Sequence, residues 1–270
     1  MNNFISKFSE LYDKHALGSD IVVYTAIIGD YDELKDPLIV DKGVDYVCFT
    51  DSDKIKSKIW KVVKIDNLYR DPRRTARILK VLSHKIFNRH KINLWVDASF
   101  LIKGSVKNFY KKFYKNSLSC FPHNDRDCVY DEIKDAIYKD SSLRILIKQA
   151  EDYKKDGMPK NFGLISSGIL LRNNQNEKVS KLMNYWANQI DLYSSRDQVS
   201  FSYCIWKLNE KYFSIPLNIF KNDYFENINH SKFIFYGNNS KKIINIRFLI
   251  SWLRYKLNNI KLKTSELFKN

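Results

Sequence analysis

Glycine and proline are scarce in this chain, with 8 and 5 residues among 270. That leaves no room for a Gly/Ser-type or Pro-rich linker, and no internal repeat is found. Cysteine is scarcer than glycine or proline. Cys48, Cys120, Cys128 and Cys204 form no CxxC pair, and no histidine sits at finger-like spacing from them. A zinc site is therefore not expected, and free thiols are favoured over disulfides. No apolar run reaches the length of a membrane-spanning helix. Residues 1–19 interrupt Phe4, Ile5, Phe8 and Leu11 with Lys7, Glu10 and Asp13, unlike a signal peptide. The GxxxxGK[ST], GxGxxG, HExxH and GxSxG patterns are all missing, so kinases of the P-loop type, dinucleotide enzymes, zincins and α/β-hydrolases lose their usual signatures. Acid is in deficit: 30 Asp and Glu face 46 Lys and Arg, a net charge of +16. Such a field attracts phosphate in nucleic acids, nucleotide diphosphates or lipid headgroups and does not choose among them.

What is present is a core. The chain is 44% hydrophobic and 14% aromatic, which excludes wholesale disorder, and its 270 residues fit one large α/β domain or two small ones. Apolar, β-branched runs at 21–28, 46–50, 60–65 and 92–96 read as strands. Asp71-Pro72 reads as the cap and first residue of a helix. Helical spacing predicts further helices over 131–153, 179–190 and 198–208, and the apolar run 164–171 is broken by Gly168. Strands alternating with helices point to a mostly parallel sheet, whose ligands bind beyond the carboxyl ends of the strands. The polar clusters Gly29-Asp30, Asp51 and Asp97-Ala98-Ser99 fall at such ends. The predicted organisation is an N-terminal helical extension (1–19), an α/β domain (20–237) and a basic amphipathic helical tail (238–270).

Five stretches carry candidate chemistry, and each has more than one reading. Asp97, at a strand end, suits a divalent cation bridging a diphosphate, or a plain turn; Ser99 is a weaker ligand than the second acid of a DxD pair. Arg73 or Arg74, Arg77 and Lys80 share one helical face that grips phosphates, or that is simply solvated. His123, Arg126 and Glu132 sit in a turn-rich stretch that fits a sugar- or acceptor-binding loop, or a capped helix entrance. Asp197-Gln198 opens a helix, as a cap or as groups facing a reacting sugar. Gly168 marks a bulge, a close ligand approach or a plain core strand.

Taken in order, these blocks resemble one family, the DUF616 group or TOD1/MUCI70 glycosyltransferase-like domain. The resemblance rests on Val23–Leu34 (VYTAIIGDYDEL), Asp45–Asp51 (DYVCFTD), Asp71–Arg77 (DPRRTAR), His84-Lys85, Trp95–Ser99 (WVDAS), His123–Glu132 (HNDRDCVYDE), Gly163-Leu164, Leu171-Arg172 and Arg196–Phe201 (RDQVSF). It spans roughly 20–208. Ser83 replaces the proline expected before His84-Lys85, and Ser99 replaces a second acid.

The resemblance implies a GT-A-like, Rossmann-like fold and sugar transfer, without fixing donor or acceptor; the expected donor is a nucleotide sugar, and the expected acceptor a glycan or lipid-linked glycan. On that expectation Thr25, Ala26, Gly29, Asp30 and Asp51 hold the nucleoside. Arg73, Arg77 and Lys80 neutralise the diphosphate, and Asp97 with Ser99 binds Mn²⁺ or Mg²⁺, or the ribose. His123, Arg126, Glu132 and Gly168 shape the sugar or acceptor site, and Asp197 and Gln198 flank the reacting carbon. The tail 241–269, with Trp252 and Tyr255 among its lysines, suits an anionic membrane surface or a helix packed on the domain. A cytoplasmic protein is expected, peripheral on the inner membrane face where the tail binds lipid. Abundant Lys, Asn and Ile suggest a low-GC bacterium and a surface-polysaccharide role (lipopolysaccharide, O-antigen or capsule). Two other classes fit parts of the pattern: a nucleic-acid-binding protein, on charge and aromatics, and a catalytically inactive sugar-binding relative. The acids at strand ends argue against a nucleic-acid surface.

Overall fold

The computed structural model describes residues 18–139 and 143–228. The tail 241–269 and nearly all of the 1–19 extension lie outside the described residues.

The β-branched runs do become strands. β1 (Ile21–Ile27), β2 (Asp45–Thr50) and β3 (Lys61–Lys64) are followed by β4 (Ile92–Val96) and by β7 (Ile165–Asn173). Every residue of β2 and β4 is buried. Strands covered on both faces need continuous apolar runs rather than alternation. Shorter strands complete the count: β5 (Phe100–Ile102), β6 (Leu118–Pro122), β8 (Phe213–Ser214) and β9 (Phe225–Asn227).

The seven-stranded sheet has the order β3-β2-β1-β4-β7-β6-β8, and β5 pairs with β9 separately. β1 is parallel to β2 and β4, and β2 to β3. β7 runs antiparallel to both β4 and β6. The carboxyl ends of β1, β2, β4 and β6 and the start of β7 therefore share one edge. The chain leaves β1 in one direction toward β3 and resumes on its other side at β4, so the strand order reverses beside β1. A crevice opens at such a reversal.

Seven helices belong to the described residues: α1 (Pro72–Val81), α2 (Ser83–Ile86), α3 (Val106–Phe113), α4 (Val129–Lys139), α5 (Leu143–Lys155), α6 (Glu177–Leu192) and α7 (Asp197–Lys207). The single helix expected over 131–153 is thus two. They pack on one another through Ile133, Ala136, Leu146, Ala150 and Tyr153, which one straight rod would hold apart. Asp71 caps α1 as its sequence implies, accepting from Arg73 N at 3.0 Å with Pro72 at the first position.

The core has two main layers. Val22 and Tyr24 of β1 meet Ile78, Leu79, Leu182, Trp186 and Phe201 from α1, α6 and α7 on one face. Val23 and Ile27 meet Phe109, Phe113, Ile215 and Phe225 on the other. Phe49, Phe87, Phe109 and Phe121 are fully buried, each contributing about 1.5–3 kcal/mol.

Charged side chains penetrate this core, the largest of them Arg172. Arg172 of β7 is fully buried. It donates from Nε to Asn93 Oδ1 at 2.9 Å, and from Nη2 to Tyr24 Oη and to the Lys80 carbonyl at 2.8 Å. Tyr24 Oη in turn donates to the same carbonyl at 2.5 Å. The carboxyl-terminal turn of α1 is thereby pinned to the sheet.

Candidate active site

Helical periodicity brings Arg73, Arg77 and Lys80 onto one face of α1, since steps of four and three residues stay within a narrow arc. Arg74 falls outside that arc. Its guanidinium instead donates to the carbonyls of Ile190, Asp191 (3.1 Å) and Tyr193 (2.9 Å), satisfying the last turn of α6. α1 crosses the crevice beside β1, so its inward face looks along the rim of the sheet.

Two carboxylates meet that face. Asp97 follows β4, and Asp197 is the first residue of α7. Lys80 Nζ lies 2.6 Å from Asp197 Oδ2 and 3.5 Å from Asp97 Oδ1. Arg77 lies 3.5 Å from Asp197 Oδ1 and 3.6 Å from Asp97 Oδ1. The side chains of Lys80 and Asp197 are 0% and 6% exposed, and those of Arg77 and Asp97 are 30% and 24%. The cluster therefore has a dry floor and a wetter mouth.

The surroundings hold each group in place. Trp95 Nε1 donates to Asp97 Oδ1 at 2.6 Å. Ser167 Oγ donates to Asp197 Oδ2 at 3.0 Å, and the Gln198 amide to Asp197 Oδ1 at 3.1 Å. Lys80 Nζ stands 5.5 Å from the centre of the Trp95 ring. Burial alone would raise the Asp197 carboxyl, but Arg77, Lys80 and the Ser167 hydroxyl outweigh it and hold that carboxyl well below the usual carboxylate range. Burial lowers the Lys80 ammonium, against the pull of Asp197 and Asp97. Burial would lower the Arg77 guanidinium as well, but the two aspartates raise it. Arg77 Nε and Lys80 Nζ are both buried, and neither has a hydrogen bond of good geometry, the 2.6 Å contact being close but off-axis. Buried donors in that state favour an oxygen-rich anion.

A cleft opens over the cluster, lined by Ala26, Tyr31, Arg73, Arg77, Trp95 and Asp97 among others. Four of the expected donor-site residues thus share it. Just beyond the lining residue Ile28, Gly29 turns the chain at φ +72°, and a Cβ there would stand 3.0 Å from Pro72. The Gly29 amide donates to both oxygens of Asp51 at 2.9 and 3.1 Å, and Asn67 Nδ2 adds a third bond at 2.7 Å. Asp51 is therefore the anchor of the Gly29 turn. Asp30 has φ +53° and lies 3.4 Å from Lys54 in an exposed pair.

Other expected residues lie elsewhere. Thr25 points to the opposite face of β1 from Ala26 by strand alternation, buried, its hydroxyl without a protein partner. Ser99 is buried against β9: its hydroxyl accepts from Asn227 Nδ2 at 3.5 Å and its carbonyl from Ile228 N at 3.0 Å. It does not join the cations. Gly168 lies where the β6–β7 register shifts, with Cys120 facing Leu170 and Phe121 facing Ser166. Its carbonyl accepts the Asp97 amide at 2.8 Å. The same irregularity aims Ser167 at Asp197. Gln198 is part-exposed on the first turn of α7.

His123, Arg126 and Glu132 form a second cluster on the same rim. Arg126 bridges Glu132 at 2.7 Å and Asp135 at 3.2 Å, and His123 Nε2 lies 3.8 Å from Glu132. The amides of Asp125 and Arg126 donate to His123 Nδ1, so Nε2 carries the proton. Arg196, 3.9 Å from Glu132, precedes Asp197 and joins the two clusters. Ser167, Trp95 and Arg196 were not among the expected site residues. Only a bulge signal at Gly168 pointed toward the first of them.

The donor set does not fit a divalent cation. Asp97 Oδ1 already accepts Trp95 Nε1 and faces Arg77 and Lys80, and both oxygens of Asp197 are engaged. Among the described residues no group of three or more His, Cys, Asp or Glu could hold a metal ion. A cation entering here would meet two fixed positive charges that already balance both acids.

The fold and site define an α/β protein whose mostly parallel sheet carries an Arg–Lys–Asp–Asp cluster at its rim. The model of the TOD1/MUCI70, glycosyltransferase-like domain matches residues 6–233, and the chain belongs to that family. It is 26% identical over 217 residues to the probable hexosyltransferase MUCI70 of Arabidopsis thaliana, covering 67% of this chain and 36% of that protein. It is 23% identical over 270 residues to the alkaline ceramidase TOD1 of the same plant, covering 83% of this chain and 54% of that protein. The chain thus spans about half or less of the length of these relatives. The apo structure of the bifunctional glycosyltransferase WbbM overlays at a TM-score of 0.45 and 9% identity, over 75% of this chain and 40% of that one. Mouse xyloside xylosyltransferase 1 overlays at 0.43 and 10%, over 73% of this chain and 84% of that one.

Proposed function

We propose that this chain moves a hexose from a nucleotide-sugar donor to a glycan acceptor. The observation that carries the reading is Arg77, whose buried Nε has no hydrogen-bond partner, lining a strand-end cleft with the Lys80 ammonium on the dry floor behind it. In such a transfer the bond from the anomeric carbon to the diphosphate breaks, and its electron pair leaves on the diphosphate. The acceptor hydroxyl oxygen bonds that carbon, and its proton goes to water. The charge develops on the leaving group, so fixed cations there act on the transition state.

The nucleoside lies over Ala26 and the Gly29-Asp30 turn held by Asp51, with Arg73 at the outer edge. Thr25 supports β1 from behind. Asp97 faces the ribose or sugar hydroxyls. A carboxylate held as low as that of Asp197 is a poor proton acceptor. Asp197 and Gln198 therefore serve the sugar as a fixed negative charge and a hydrogen-bonding amide. His123, Arg126 and Glu132 shape the acceptor side, and Gly168 leaves the space beside Asp97.

The two plant relatives bear different activities in their names. Arg73 and Arg77 lining a cleft favour a phosphate-bearing substrate over an uncharged amide. A surface-polysaccharide acceptor in a bacterium draws on composition alone, and the relatives are plant proteins. Attachment to a membrane through 241–269 rests on the tail sequence. No described helix is long and apolar enough to cross a membrane.

The test is turnover of a panel of sugar nucleotides with glycan acceptors, followed by mass spectrometry, for the full chain and for Asp97→Ala and Asp197→Ala. Transfer lost in both variants is expected. Full turnover in both would sink the assignment, and donor binding without turnover would make the chain a sugar-binding relative.

A further inference from the structure

Resting on the transfer reading above, we propose that this site neutralises the donor diphosphate with Lys80 and Arg77 in place of a divalent metal ion. Three observations converge on it. The acids of the site are already balanced: one carboxylate oxygen, Asp97 Oδ2, remains beside the bare Cα of Gly168, where a Cβ would stand 3.5 Å away. One oxygen is not a cation cage, and Ser99, the nearest candidate to complete it in sequence, is turned to Asn227.

The cations, by contrast, are under-used. Arg77, which lines the cleft, has a buried Nε lacking a hydrogen bond, and Lys80 Nζ lies buried behind it, 2.6 Å from Asp197. A diphosphate oxygen would supply the acceptor that Arg77 lacks and would meet the Lys80 charge at longer range. The positive charge is also fixed in advance. The Lys80 carbonyl is held by Tyr24 at 2.5 Å and by Arg172 at 2.8 Å, and the ammonium stands over Trp95. Charge held rigidly in a water-poor site needs no reorganisation when the leaving group departs. The negative charge released as the carbon–oxygen bond breaks is met by an ammonium and a guanidinium already in place.

The test is calorimetric titration of the full chain with inorganic pyrophosphate, once with EDTA and once with Mn²⁺, beside a titration with Mn²⁺ alone. Pyrophosphate is expected to bind in EDTA, and Mn²⁺ to leave its affinity within about twofold. Mn²⁺ alone is expected to show no saturable site. Lys80→Met and Arg77→Gln are each expected to weaken pyrophosphate about tenfold, the loss of one charged interaction. The exposed Lys148→Ala on α5 should leave it unchanged. If Lys80→Met fails to fold by circular dichroism, Arg77→Gln, with its partly exposed side chain, carries the comparison. Binding that appears only with Mn²⁺, a saturable Mn²⁺ site lost in Asp97→Asn, or no pyrophosphate binding in either buffer overturns the proposal. Sugar transfer that persists but requires Mn²⁺ overturns it while leaving the transfer reading intact. Pyrophosphate bound in EDTA with no sugar nucleotide consumed sinks the transfer reading and keeps the metal-free anion site.

Discussion

Asp97 and Asp197 share both of their cations: Lys80 lies 3.5 Å from the first and 2.6 Å from the second, and Arg77 lies 3.6 and 3.5 Å from them. One carboxylate closes a strand and the other opens a helix far along the chain. Neither is balanced without the helix between them, so the four side chains behave as one unit, and changes to them will not add.

Removing Asp197 leaves Lys80 charged and buried without its nearest partner. Asp197→Ala is expected to lower stability by about 3–5 kcal/mol and transfer by about a hundredfold or more. The pair Lys80→Met with Asp197→Leu should recover most of the stability and none of the activity. Denaturant melts and turnover of all three proteins check this. A double variant no more stable than Asp197→Ala would show that the burden is not the orphaned charge.

Arg172 makes its hydrogen bonds to neutral groups in the core. Arg172→Met strands Asn93 and Tyr24 and frees the end of α1. The expected cost is about 2–4 kcal/mol, from a lost buried network. Pyrophosphate affinity should fall with it, because the Lys80 carbonyl is no longer held. Unchanged affinity in a destabilised variant would confine Arg172 to the core.

Gly168 is a matter of space. A Cβ there would stand 2.8 Å from Phe100 Cε2 and 3.5 Å from Asp97 Oδ2. Phe100 is a buried ring, so it cannot swing clear. Gly168→Ala is expected to cost about 1–3 kcal/mol by overpacking and to reduce transfer more than its melting point alone explains. Gly157→Ala is a poor control, since its strain at φ +92° is conformational and not steric.

His84 titrates against the fold. Burial pushes it down from 6.5 to about 4, with its Nε2 donating to Asn184. The unfolded chain then binds a proton more readily than the folded one across that interval. Stability is therefore full above about 6.5 and is lost as pH falls toward 4. Asp197, held low, adds a further loss below the ordinary carboxylate value. His84→Gln should flatten the melting-point profile between pH 6.5 and 4. Parallel profiles for the two proteins would rule His84 out as the cause.

Much of this was legible in the residues. β1, β2 and β4 announce themselves because strands covered on both faces need unbroken apolar runs, and α1 because Asp71-Pro72 suits a helix start. The basic face of α1 followed from spacing. The expected helix over 131–153 failed because the apolar periodicity runs on from α4 into α5 without a proline or glycine to divide them. β5, β8 and β9 are too short to show a period. In the site, residue types were readable but pairings were not. Ser99 looked like a partner of Asp97 by adjacency, yet β5 and β9 turn it to Asn227. Ser167 reaches Asp197 through a register shift that no local pattern encodes.

The four cysteines lie buried in the folded chain, and burial pushes the thiols of Cys48 and Cys120 up to about 12. They sit in different parts of the molecule, with Cys48 in one layer, Cys120 and Cys204 in the other and Cys128 under α4. Alkylating reagents can reach them only when that region opens. Each sulfur therefore serves as a native clock for the breathing of its own neighbourhood, readable one site at a time without adding a label.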